Sequence, residues 1–223
     1  MYKRQGYVLP QEEIFAKMAR KKRVIAVTEP VPEEHLRRPP EFDGNYDPHI
    51  WFDVSLWRQT IPLVVDNLAA IDPAGAEEFR RRGEAYTAEL EQLHAWVAVQ
   101  VGQIAAAQRV LVTAHDAFGY FGQAFALEVE GLQGISTVAE SGVNDVSRMV
   151  DLIVERGVKA IFVESSVPQR SINAVKEGCR ARGHEVKIGG TLYSDAMGEP
   201  GSGADTYTGI VLTNVKTMVA ALR

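Results

Sequence analysis

The chain has 223 residues, of which 46% are hydrophobic and 24% are charged, and these values exclude a disordered or fibrous protein. The 24 Lys and Arg residues against 29 Asp and Glu residues give a net charge of -5, so we expect no nucleic-acid partner. The single cysteine, Cys179, excludes an intrachain disulfide and a cysteine-based metal knuckle.

Membrane and secretion signals are not found in the sequence. No run approaches the roughly 18 uninterrupted apolar residues of a membrane span. The first residues, Met1 to Gly6, lack the apolar stretch that follows the basic start of a signal peptide. We therefore expect neither a transmembrane helix nor a signal peptide in this chain.

The amino-terminal part predicts one helix, one strand and a long loop. Helical spacing covers Glu12 to Arg20, and the apolar run Val24 to Val27 is typical of a buried strand. Residues 28–48 are rich in proline and charge and predict a loop, of a length that is usually functional or disordered.

Two helical segments follow this loop. Apolar spacing after Asp53, a candidate N-cap, predicts a helix that Pro62 kinks and Asp72-Pro73 ends. An apolar seam over residues 74–107 predicts a second helix about 50 Å long, which exceeds the diameter of a small domain. We expect it to join two bodies, and an arm of a helical bundle or coiled coil remains the alternative.

The remaining residues alternate strand and helix, which predicts an α/β fold with a parallel four-stranded sheet flanked by helices. The predicted strands are 109–113, 129–135, 160–163 and 185–188, and the predicted helices are 117–126, 143–156, 171–182 and 207–222. Ser166 to Gln169 has the pattern of a capping box at the start of the third of these helices.

Chemically versatile side chains occur where these strands end. His115, Glu164 and Asp195 each follow a predicted strand, and ligands bind beyond the carboxyl ends of parallel strands. His49, at the end of the proline-rich loop, is a further nitrogen donor. Two histidines and a carboxylate suit Zn(II), Mn(II) or Fe(II).

The residues alone leave a second interpretation open. His115 then caps the next helix, Asp195 is a turn residue, and Glu164 binds backbone amides. We interpret the other histidines, His35, His94 and His184, as non-functional. The sequence has no hydrolase or nucleotide-binding motif.

Five segments resemble successive signatures of the TroA-like metal-binding receptors of ABC transporters, which are solute-binding proteins for zinc, manganese or iron. The segments are Asp47–Asp53, Val112–Phe121, Leu132–Ser136, Phe162–Ser166 and Gly189–Asp195. The resemblance implies two α/β lobes joined by one long helix, with metal held between the lobes and no catalysis. It also implies a membrane permease as partner and a location in the periplasm or on the cell surface.

By this resemblance, His49, His115 and Asp195 are metal ligands, and Glu164 orients a ligand histidine. Zinc importers of the family often carry a loop rich in His, Asp and Glu before the second histidine. Residues 33–46 contain only His35, which favours manganese, or both zinc and manganese, as the ligand metal.

The sequence departs from the family pattern at its amino terminus. No histidine precedes His35 to act as the first ligand, and most of the amino-terminal lobe has no counterpart. We expect residues 1–73 to be a remnant of that lobe, 74–107 to be the connecting helix and 108–223 to be the carboxy-terminal lobe. An incomplete lobe exposes strand edges and apolar faces, so we expect self-association and weakened metal binding.

Three functions follow from these observations. The first is a receptor that delivers zinc or manganese to a permease. The second is a zinc-dependent hydrolase with Glu164 as general base. The third is a truncated interaction module that binds no metal. His115→Ala is expected to abolish metal uptake in the first case, abolish turnover in the second and change little in the third.

Overall fold

A computed structural model describes residues 10–42, 44–135 and 142–223. The chain divides into two compact units, Met1–His94 and Ala95–Arg223, and the boundary falls within one helix. No helix in the described ranges has both the length and the apolar composition needed to span a membrane. Ser136, the last residue of one of the five segments, lies outside these ranges.

The first unit consists of helices and turns. Its α-helices are α1 (Pro10–Ala19), α2 (Val54–Arg58), α3 (Ile61–Ile71) and most of α4 (Ala76–Val101), with short 3-10 turns at Glu33–His35, Pro40–Phe42, Ile50–Phe52 and Pro73–Gly75. The predicted strand at Val24–Val27 is wrong, because these residues pair with no strand in the described part of the chain. An apolar run becomes a strand only where a neighbouring strand supplies hydrogen-bond partners.

Pro62 begins a helix instead of kinking one. α2 ends at Arg58, and Pro62 lies in the first turn of α3, where a backbone N–H would have no partner within the helix. The predicted N-cap at Asp53 is confirmed, since its side chain accepts hydrogen bonds from the backbone N–H groups of Ser55 and Leu56.

The long helix is shorter than predicted. α4 has 26 residues, which corresponds to about 39 Å, and it does not reach 74–107. At its start, Asp72 instead caps a separate 3-10 turn through the N–H groups of Ala74 and Gly75. At its other end, the helix stops at Val101, and a 3-10 turn at Ala106–Gln108 precedes the next strand.

The second unit alternates strands and helices. Its elements after α4 are β1 (Val110–His115), α5 (Gly119–Phe125), β2 (Glu128–Gln133), α6 (Val143–Arg156), β3 (Ala160–Glu164), α7 (Arg170–Ala181), β4 (Lys187–Leu192) and α8 (Tyr207–Leu222). The α/β class, with parallel strands and flanking helices, is confirmed.

The four strands form two parallel pairs in place of the single four-stranded sheet that we predicted. β1 pairs with β2 and β3 pairs with β4, and β1 lies beside β3 without a ladder between them in the described residues. All residues of β1 and β3 are buried, as expected for strands covered on both faces. Each strand is parallel to its partner, so the two carboxyl ends within each pair lie at the same edge of that pair.

Two glycines allow α8 to pack closely on β4. A Cβ atom at Gly189 would lie 2.7 Å from the Cβ of Ala221, and one at Gly190 would lie 2.5 Å from the Cγ2 of Thr217. Both distances are shorter than carbon atoms tolerate, so larger side chains here would force the helix away from the strand.

Candidate metal centre

The carboxyl ends of three strands bring together the predicted residues of the second unit. His115 is the last residue of β1, Glu164 is the last residue of β3, and Asp195 follows β4 by three residues. The Nδ1 atom of His115 lies 2.6 Å from Oε2 of Glu164, and its Nε2 atom lies 3.4 Å from Oδ2 of Asp195. The imidazole ring therefore stands between two carboxylates, one at each nitrogen.

Glu164 holds His115 at two points. Its Oε1 atom accepts a hydrogen bond of 2.8 Å from the backbone N–H of His115, while its Oε2 atom contacts the ring. Both side chains are fully buried. A carboxylate at Nδ1 fixes the ring orientation, so that Nε2 is the nitrogen that faces Asp195.

The charge state of His115 follows from its surroundings. Burial lowers the pKa of the imidazole, but the contacts with Asp195 and Glu164 outweigh burial and raise the pKa to about 9. Without metal, the ring is therefore protonated at neutral pH. A metal ion bound at Nε2 would have to displace this proton, and its own positive charge would then face Asp195.

A close backbone approach positions the segment that carries His115. A Cβ atom at Gly131 of β2 would lie 2.5 Å from the backbone nitrogen of Asp116. The N–H of Asp116 donates to the carbonyl of Gln133 at 3.1 Å, and the hydroxyl of Thr113 donates to the carbonyl of His115 at 2.8 Å. Gly131 therefore provides the space in which the chain leaves β1.

The first unit holds His49 by a similar arrangement. Oδ1 of Asp47 accepts a hydrogen bond of 2.9 Å from the backbone N–H of His49 and lies 2.8 Å from Nδ1 of its ring. Its other oxygen accepts from the guanidinium of Arg37 at 2.8 Å. Asp47 and His49 are both buried, so this local network fixes the ring with Nδ1 towards the carboxylate.

The residues after His49 complete the local structure. The ring of Trp51 packs edge-on against the ring of His49, with 5.2 Å between the ring centroids. Asp53 then caps α2, which follows directly. Within seven residues, the segment Asp47–Asp53 thus contains the carboxylate that holds His49, an aromatic ring that packs against His49 and the N-cap of α2.

We predicted no role for Asp47 or Arg37 from the sequence, although Asp47 begins one of the five segments that resemble the receptor family. The role of Asp47 could have been predicted from its position two residues before a histidine, because at that spacing a carboxylate can reach the backbone N–H of the histidine. Of the histidines interpreted as non-functional, His35 is exposed, and Nε2 of His184 lies 2.8 Å from the carbonyl oxygen of Val158. That contact gives His184 a structural role.

The donor atoms indicate the chemistry. Neutral imidazole nitrogens and carboxylate oxygens are ligands of intermediate hardness, suited to Zn(II), Mn(II) and Fe(II). In the second unit, the Asp195 side chain is 36% exposed while His115 is fully buried. One of these two side chains therefore lies inside the fold, while the other is partly open to solvent.

Comparisons with known proteins agree with this chemistry. The model of the family "Zinc-uptake complex component A periplasmic" matches residues 6–221. The zinc-binding protein TroA of Treponema pallidum is 43% identical over 210 residues, which are 94% of this chain and 68% of that protein. The manganese-binding lipoprotein MntA of Bacillus subtilis is 42% identical over 213 residues, or 95% of this chain and 69% of that protein.

Solved structures support the same relationship. The structure of the periplasmic zinc-binding protein TroA from Treponema pallidum matches with a TM-score of 0.91 at 42% identity, over 95% of this chain and 76% of that chain. The family match spans nearly the whole sequence, and the TroA structure has the same fold over 95% of this chain. The chain belongs to the family of periplasmic zinc-uptake component A proteins.

Proposed function

We propose that this protein is a metal receptor of an ABC import system, which binds a divalent zinc or manganese ion and delivers it to a membrane permease. The observation that carries the proposal is the buried His115 ring, which has Glu164 at Nδ1 and Asp195 at Nε2. This arrangement orients Nε2 of His115 beside a carboxylate, where both groups can coordinate one metal ion. The names of the relatives, a zinc-binding protein and a manganese-binding lipoprotein, support the same function.

The proposed metal ligands are His49, His115 and Asp195. The clamps on the two histidines support this assignment, because each places a carboxylate at Nδ1 and leaves Nε2 as the coordinating atom. Each histidine also donates its own backbone N–H to the same carboxylate. Asp47 and Glu164 therefore act through the histidines and are not themselves proposed as ligands.

The proposed ion is Zn(II) or Mn(II). Imidazole and carboxylate donors accept both ions, and the two relatives are named for one ion each. Residues 33–46 contain only one histidine, which favours manganese, or both zinc and manganese, as the bound metal. Fe(II) has similar ligand preferences and belongs in the same binding experiment.

The proposed partner and location follow from the family. The relatives are named periplasmic or lipoprotein components, so we place this receptor outside the cytoplasmic membrane beside its permease. Catalysis is not part of the proposal, since these relatives are named for metal binding. Self-association is also not part of it, because no observation on the described residues supports it.

Titration calorimetry with Zn(II) and with Mn(II) tests the proposal. The unmodified chain is expected to bind one ion, and His49→Ala, His115→Ala and Asp195→Ala are each expected to weaken binding strongly. His35→Ala is the matched control, because His35 is exposed and lies near His49 in sequence. The proposal fails if the unmodified chain binds neither ion, or if His115→Ala binds as tightly as the His35→Ala control.

A further inference from the structure

The loop that carries Asp195 is attached to α8 by one buried side chain. Oδ1 of Asn214 accepts a hydrogen bond of 2.9 Å from the backbone N–H of Tyr193, and its Nδ2 atom donates to the carbonyl of Tyr193 at 2.7 Å. Asn214 is only 3% exposed. A single amide therefore satisfies both backbone groups of a residue two positions before Asp195.

This contact replaces the pairing that a neighbouring strand would supply. Tyr193 is the first residue beyond β4, and its backbone groups need partners when they leave the ladder. A side-chain amide has an NH₂ donor group beside a carbonyl acceptor, so Asn214 can bind both backbone groups of Tyr193. Aspartate and leucine have a similar size, but aspartate lacks the donor and leucine lacks both groups.

A second attachment acts on the next residue. The hydroxyl oxygens of Ser194 and Ser166 lie 2.9 Å apart, and Ser194 is 5% exposed. Ser166 follows Glu164 by two residues and does not form the predicted capping box, because α7 begins at Arg170 without a side-chain cap. The loop is thus tied to the segment after β3 on one side and to α8 on the other.

These attachments bear on the position of the Asp195 carboxylate. A loop residue that is free to move loses backbone entropy when a ligand fixes it. Bonds that fix Tyr193 and Ser194 in advance reduce that loss at the moment of metal binding. The side chain of Asp195 itself is 36% exposed, so its placement depends on its backbone more than on packing.

We infer that Asn214 is a positioning residue for metal binding, which fixes the Asp195 carboxylate through the backbone of Tyr193 without contacting the metal. This inference rests on the proposed function in that Asp195 is a ligand. It adds a determinant of affinity on α8, a helix that contributes none of the proposed ligands.

A double-mutant cycle tests this role. Asn214→Asp retains the size and the acceptor of the side chain but removes the donor to the Tyr193 carbonyl. It is expected to lower Zn(II) or Mn(II) affinity by about 10-fold, the lower end of the loss caused by removing a direct partner of a metal ligand, because Asn214 acts on Asp195 only through the backbone. In an Asp195→Asn background, the same substitution is expected to have little further effect, because the residue it positions is already altered.

Met218→Ala is the matched control. Met218 lies one turn further along α8, is 1% exposed, and forms no part of the loop attachment. Its loss is expected to lower the stability of the protein while leaving metal affinity nearly unchanged. An equal loss of affinity in Met218→Ala and Asn214→Asp would overturn the inference, as would an Asn214→Asp effect that persists in full in the Asp195→Asn background.

Amide hydrogen exchange of the metal-free protein gives an independent result. Exchange at Tyr193 and Ser194 is expected to be faster in Asn214→Asp than in the unmodified chain, and unchanged in Met218→Ala. Unchanged exchange in Asn214→Asp would overturn the inference even if metal binds. A chain that binds no metal would overturn the proposed function, while the exchange result would still decide whether Asn214 fixes the loop.

Discussion

Glu164 contacts His115 through both of its carboxylate oxygens, one at 2.8 Å from the backbone nitrogen and the other at 2.6 Å from the ring nitrogen Nδ1. These residues are 49 positions apart in sequence and close two different strands. The contact therefore links the end of β1 to the end of β3 at the point where metal chemistry is proposed. Glu164 therefore both fixes the position of His115 and places a negative charge beside its ring.

Glu164→Gln is expected to weaken metal binding by about 10- to 100-fold, because a neutral amide supports the ring of His115 less well than a carboxylate. The shape of the side chain is retained, so the fold is expected to persist. Titration calorimetry measures the affinity, and Glu177→Gln is the control, since Glu177 is an exposed residue on α7 paired with Arg180. Equal affinities of the two variants would contradict the prediction.

Asp47→Asn is expected to weaken metal binding through His49 by a similar factor of about 10 to 100. The substitution removes the charge that faces both the ring of His49 and the guanidinium of Arg37. Asp53→Asn provides the same chemical change six residues later, and asparagine is as good an N-cap as aspartate. Competition titration with a metal chelator should therefore show weaker metal binding for Asp47→Asn than for Asp53→Asn. Indistinguishable curves would contradict the role of Asp47 in holding His49.

Gly131→Ala is expected to lower stability by about 1–3 kcal/mol and to weaken metal binding as well. The added methyl group would lie 2.5 Å from the backbone nitrogen of Asp116, so the segment that follows His115 must move. Gly134→Ala is the control because, among the described residues and apart from its two sequence neighbours, no atom lies within 4 Å of a Cβ at that position. Urea unfolding and calorimetry test both effects, and a Gly131→Ala protein with unaltered affinity would disprove the link to His115.

The stability of the metal-free protein is expected to fall as the pH rises from about 6.5 to about 9. Asp195 and Glu164 raise the pKa of His115 to about 9, above the value of 6.5 for an unperturbed histidine. The protonated ring therefore stabilises the folded state fully below pH 6.5, and this stabilisation disappears as the ring loses its proton near pH 9.

Urea unfolding across this pH range, with and without His115→Asn, measures the pH effect. The variant has no imidazole at this position, so the difference between the two proteins is expected to shrink as the pH rises. A direct titration of the ring by NMR is the second measurement. A His115 pKa near or below 6.5 in the folded protein would contradict the prediction.

Much of the candidate site could be predicted from the sequence because a topological rule applies to it. His115, Glu164 and Asp195 each come at or after the end of a parallel strand, and such ends meet at one edge. The periodicity of α6 and α8 also gave their bounds correctly, since strong amphipathic or apolar spacing continues to the capping residues.

Other features depend on partners that a local pattern does not contain. The run Val24–Val27 was expected to be a strand, but strand formation requires a neighbour in space. Ser166 was expected to cap a helix, whereas its hydroxyl lies beside that of Ser194, 28 residues away. The division of the four strands into two pairs also could not be predicted. Whether β1 pairs with β3 depends on their distance in space, which no local sequence pattern gives.

The glycine pair of β4 limits how the loop that carries Asp195 could be transferred to another protein. Because Gly189 and Gly190 let α8 lie against the strand, Asn214 on that helix is near enough to bind Tyr193. A bulkier residue at either glycine would lift the helix and separate the two hydrogen-bonding groups. Transplanting the Asp195 loop into a related scaffold would therefore require moving three parts together: the glycine pair, the asparagine on the helix and the loop itself.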